Sequence, residues 1–97
     1  MSGKGSAIVN FGAAPGNTDA SVVVTGQAGI LATSFCEAWV DGTDQAGTAD
    51  HSTDEHAMLA STAGVVCRTI VPGTGFTIEV AANMRTIGRF NLLWVWA

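Results

Sequence analysis

The sequence predicts an all-β fold, a β-sandwich or jelly-roll-like antiparallel domain of about six to eight short strands. Three observations carry this. Runs of β-branched and aromatic residues alternate with polar ones at period two, and they are separated by Gly-, Pro- and Asn-rich turns. Helical stretches do not alternate with the strands, so a parallel α/β arrangement is disfavoured.

In chain order, SAIVNF (Ser6–Phe11) is the first strand signal, and the run GAAPGN (Gly12–Asn17) closes it. The segment before it, residues 1–6, is expected to be a flexible N-terminal arm able to lie along a neighbour by strand addition, with residues 7–97 forming one domain. SVVVTG (Ser21–Gly26) is a second, β-branched run. ILATSFCEAWVDG (Ile30–Gly42) is longer, with Phe35, Glu37 and Trp39 on one side and Cys36, Ala38 and Val40 on the other. VVCRTIV (Val65–Val71) ends at the turn PGTG. In FTIEVA (Phe76–Ala81), Phe76, Ile78 and Val80 alternate with Thr77 and Glu79, the pattern of a half-buried strand.

The last run, FNLLWVWA (Phe90–Ala97), is apolar on both faces. Phe90, Leu92, Trp94 and Trp96 share one face, and Asn91, Leu93, Val95 and Ala97 share the other. A strand of this kind belongs between two packed layers. One reading makes it a central core strand. The other gives the face of Phe90, Leu92, Trp94 and Trp96 to a neighbouring subunit, because Trp buries a large area at low entropic cost and chain ends fray unless docked.

One stretch competes for helix. Ser52-x-x-Glu55 followed by HAMLA has the form of a capping box, while Gly64 breaks the run. The expectation adopted is a strand from Glu55 onward that continues through a bulge near Gly64.

Composition narrows the function. Charged residues make up 12% of the 97-residue chain, about half the usual share in soluble domains. A small domain with so little charge is expected to have much of its surface covered by other protein, as an assembly subunit. The net charge is −4 and the only Lys and Arg are Lys4, Arg68, Arg85 and Arg89, so nucleic-acid binding is disfavoured. No run approaches the roughly 18 apolar residues of a membrane helix. The start MSGKGSAIVNF lacks the apolar core of a signal peptide, which implies synthesis in the cytosol. Cys36 and Cys67 are then expected as reduced, buried thiols, with a disulfide as the less favoured alternative.

The stretch TADHSTDEHAMLAST (Thr48–Thr62) looks most like chemistry, since Asp50, His51, Asp54, Glu55 and His56 crowd together in it. Zinc needs ligands that converge. His51 and His56 are five positions apart. That spacing places them about 140° apart on a helix and on opposite faces of a strand. Asp41–Glu55 holds five of the eight acids but lacks the spacing of an EF-hand loop. A strand-embedded Cys36 and the absence of a G-x-S-x-G elbow disfavour nucleophilic catalysis, and Asp54 with Glu79 is an unsupported carboxylate pair. The reading is therefore no enzyme, no cofactor, no metal and no catalytic residue. The stretch is taken as a structural turn in which His51 and His56 sit at an edge and His56 bonds to Asp54.

The words NFGAAPGNTDASVVVTGQAGILATSFCEAWV, TADHSTDEH, GTGFTIEV and WVWA resemble a group of small structural proteins of tailed bacteriophages, over nearly the whole chain. TGQAGILA is the most distinctive of them. In that group an acidic residue often follows DEH by three positions; here the position is Leu59. The resemblance implies a virion location. Together with the low charge it leads to the expectation of a capsid decoration or cement protein, a homotrimer that binds major capsid protein at symmetry axes or capsomer seams. The alternative is a tail- or head-fibre module for receptor or glycan recognition, which would use the Asp41–His56 loop.

Overall fold

A computed structural model of the chain describes residues 2–41 and 53–97. Among the described residues there are six strands and one helix: β1 Gly3–Asn10, β2 Asn17–Val24, β3 Cys36–Val40, α1 Thr53–Thr62, β4 Gly64–Val71, β5 Gly75–Thr86 and β6 Arg89–Trp96. They form two antiparallel three-stranded sheets, ordered β1-β6-β3 and β2-β5-β4. The all-β, sandwich-like expectation holds.

The sheets face each other strand over strand, with β1 against β2 and β3 against β4 at the two edges. The central strands meet where Phe76 of β5 and Trp94 of β6 pack edge to face, ring centroids 5.5 Å apart. The period-two pattern explains why these runs are strands. Phe76, Ile78 and Val80 are buried while Thr77 and Glu79 keep partial access to water. On β3, Cys36, Ala38 and Val40 point inward, and Glu37 and Trp39 point out.

Three expectations are corrected. The N-terminal arm is instead an edge strand from Gly3, in register with β6 from Gly3↔Trp96 to Asn10↔Arg89. Its two glycines explain the pairing. A methyl at Gly5 would sit 2.5 Å from Trp94 Cζ2, and one at Gly3 would collide with the Trp96 indole. The glycines thus leave room for two large rings, and burial of those rings repays the conformational entropy that glycine loses in a strand.

The strand expected from Glu55 is the helix α1, and β4 begins only at Gly64. Ala, Met, Leu and Glu in this stretch are good helix formers. The helix rests on the sandwich through His56 and Leu59, which are buried and three positions apart, on one face. Leu59 is 7% exposed, so a carboxylate at this position would be desolvated.

Among the described residues of the long Ile30–Gly42 run, only Cys36–Val40 is a strand. Before it, turns bond Ile30 N–H to Gln27 O and Ser34 N–H to Leu31 O. Phe35 and Ala97 still exchange two backbone hydrogen bonds of 2.9 Å, which extends the β3–β6 ladder by one pair.

Candidate functional site

The acidic, histidine-bearing stretch is the first candidate. Asp50 and His51 lie outside the described residues. His56 is fully buried on α1, not at an edge. Its position follows from the end of β3. At the Asp41–Asn91 pair, the Asp41 N–H donates to Asn91 O at 2.9 Å, but the Asn91 N–H donates to His56 Nε2 at 2.9 Å. The imidazole thus replaces the backbone acceptor that a longer β3 would have supplied, and it satisfies a buried amide. As an acceptor at Nε2, the neutral ring carries its proton on Nδ1. It also packs edge to face on Phe90, centroids 5.1 Å apart. These contacts give His56 a structural task, with the Asn91 backbone as a partner; the side chain of Asp54, its expected partner, lies outside what the structure describes. Among the described residues, no three His, Cys, Asp or Glu side chains cluster as a metal site would need.

Glu79 lies on the outer face of the second sheet, where it accepts a 2.7 Å bond from Arg68 Nη2. Cys36 and Cys67 are free thiols on facing edge strands. They are only partly buried, and their side chains hydrogen-bond to each other. Burial, then the charge and hydrogen bond of Cys36, then Glu37, push the Cys67 thiol up to about 12. It is therefore a poor nucleophile at neutral pH.

The expected interface residues are corrected as well. Phe90, Leu92, Trp94 and Trp96 are 3, 0, 6 and 4% exposed, so they belong to the core of this chain. Trp96 Nε1 donates to Gln27 Oε1 at 3.0 Å, which satisfies its polar end inside the chain. The core-strand reading of FNLLWVWA describes that face of β6.

What β6 shows the outside is its other face. Val95 is exposed and Leu93 half-exposed. Around them on the outer side of the first sheet stand Lys4, Ser6 and Ile8 of β1 and Glu37 and Trp39 of β3. Trp39 is 42% exposed, the only tryptophan of the three that reaches solvent appreciably. It walls a shallow open trough of about 420 Å³, whose floor and far side include Gly5, Ser6, Leu93 and Val95. Phe35, 83% exposed, adjoins the same face beyond Glu37.

The outer face of the second sheet differs in kind. Asp19, Ser21, Thr77, Glu79 and Arg68 stand there with Val23 and Val66 between them, and the Arg68–Glu79 pair crosses it. That face suits water. The first sheet's outer face holds Ile8, Trp39, Leu93 and Val95 in adjoining strands, a contiguous apolar patch. The alternation of FCEAWV already separated Trp39 from Cys36. The missing signal was which side faces in, and the match of Gly3 and Gly5 to Trp96 and Trp94 supplies it.

No protein-family model, curated protein or solved structure matches the chain.

Proposed function

We propose that the chain is a structural subunit of a bacteriophage virion, a capsid decoration or cement protein that acts as a homo-oligomer on the major capsid protein and performs no catalysis. The observation that carries this reading is the apolar outer face of the β1-β6-β3 sheet, on a domain with 12% charged residues. Leaving Trp39, Leu93, Val95 and Ile8 in water forgoes about 25 cal/mol for each Å² of apolar surface that a neighbour would cover. The likeness of the sequence words to tailed-phage structural proteins supports the virion setting. A decoration protein stabilises a shell by bridging subunits at symmetry axes or capsomer seams, and this needs a rigid domain with a sticky face rather than a cleft.

The test is copy number in purified particles by quantitative mass spectrometry. A decoration protein is present in proportion to the shell protein. Detection at only the few copies of a tail or fibre tip would replace this reading with the receptor-recognition one, and absence from particles would remove both.

A further inference from the structure

The outer face of the first sheet carries opposite charges on its two edge strands and apolar residues between them. Strand register arranges it in rows. Lys4, Val95 and Glu37 form one row, and Ser6, Leu93 and Trp39 form the next. In each row β6 supplies the apolar centre and the edge strands supply opposites: a base against an acid, and a small side chain against the largest one. Lys4 and Glu37 of one chain are separated by two strand spacings, about 9.6 Å. Neither makes an ion pair among the described residues.

We propose that this face binds a second copy of the chain face to face, about a two-fold axis running nearly parallel to β6. The operation exchanges the β1 and β3 edges while keeping each row in place. Lys4 then meets Glu37 of the second copy, and Glu37 meets its Lys4. Trp39 enters the trough over Gly5 and Ser6 of the second copy, and Leu93 and Val95 meet their own equivalents on the axis. Such an interface is isologous, the commonest kind in homo-oligomers. Stacked sheets sit about 10 Å apart and cross at about 30°, so long side chains at the edges can reach each other while those at the centre pack. The arrangement is a dimer, where the sequence reading favoured a trimer.

A three-stranded face is small. It falls short of the roughly 800 Å² per partner of a standard stable interface, so the dimer is expected to dissociate on dilution through the micromolar range. The inference rests on the proposed function only in its claim that protein covers this face, and holds for any location of the assembly.

Sedimentation velocity over a concentration series tests it. The wild-type chain is expected to shift from monomer to dimer. Lys4→Glu places two like-charge pairs in the interface and Glu37→Lys does the same, so each alone is expected to dimerise at least about tenfold more weakly. Mixed in equal amounts, the two variants restore both opposite-charge pairs in a heterodimer, and dimer is expected to return to near the wild-type level. Lys4 and Glu37 are exposed, and unchanged circular dichroism would show that the variants fold; Lys4→Gln and Glu37→Gln provide milder versions should either fail to. A wild-type chain that stays monomeric at high concentration, a trimer, unaffected single variants, or a mixture that stays monomeric would each overturn the two-fold. A monomer present in particles in proportion to shell protein would overturn the two-fold and leave the virion reading standing, and a dimer absent from particles would do the reverse.

Discussion

His56 Nε2 accepts a 2.9 Å hydrogen bond from the backbone N–H of Asn91, and this bond closes the β6 ladder where β3 departs. Both residues are buried, at 0 and 1% exposure. Replacing His56 by Ala strands a buried amide and removes a ring that packs on Phe90. The expected loss is about 2–4 kcal/mol, well beyond the roughly 1 kcal/mol of a surface turn histidine. Chemical denaturation of the variant measures it, and a change below about 0.5 kcal/mol would show that the bond carries no weight.

Gly5 and Gly64 make a matched pair of backbone tests. Gly5→Ala drives a methyl into the Trp94 indole, 2.5 Å from Cζ2, and should cost about 1–3 kcal/mol. Gly64 opens β4 with nothing within 4 Å of its added methyl, so Gly64→Ala should lie within about 0.5 kcal/mol of wild type. Equal denaturation midpoints for the two variants would contradict the placement of Trp94 over β1.

How far the fold was legible depends on where the deciding contact lies. FTIEVA and CEAWV show their inward side in their own alternation, because a half-buried strand needs only its own residues to mark the boundary between core and water. The strand β1 is different. GKG is a poor strand signal alone, and only the Trp96 and Trp94 rings, about ninety residues later in the sequence, give the glycines their use. The helix α1 is similar: ten residues are a marginal helix in water, and what holds them is His56 meeting a β6 amide 35 positions away. The outer face of the first sheet was half legible. The apolar second face of β6 stood out, but the rings of the inward face looked equally suited to a partner until the glycines opposite were in register.

Alkaline pH should reveal Cys67. Its thiol is raised from 9.0 to about 12, chiefly by burial and then by Cys36. Between those values the unfolded chain gives up the proton while the folded chain keeps it. The stabilisation is therefore complete below about pH 9 and is lost as pH rises toward about 12. Unfolding midpoints of the wild type should fall more steeply over this window than those of Cys67→Ala. At pH 8 the native thiol should also alkylate far more slowly than in denaturant, and equal rates would count against its burial next to Cys36.

Substitution of Arg68 by Ala should change little. The Arg68–Glu79 pair has side chains 60 and 39% exposed, and exposed pairs contribute less than about 1 kcal/mol. A loss clearly above that, seen by thermal or chemical unfolding, would mean that the pair is held and shielded from water more tightly than its exposure implies.

Hydroxyl-radical footprinting of the free chain, diluted until sedimentation shows it monomeric, against the same chain in purified particles tests most directly the claim that this is an assembly subunit working through the outer face of its first sheet. Trp39, Ile8 and Val95 are exposed in the single chain, and Val23 and Val66 are exposed on the opposite sheet. The account predicts that oxidation of Trp39, Ile8 and Val95 falls sharply in particles while Val23 and Val66 stay reactive. Undiminished oxidation of Trp39 in the assembled state, or protection confined to Val23 and Val66, would contradict it.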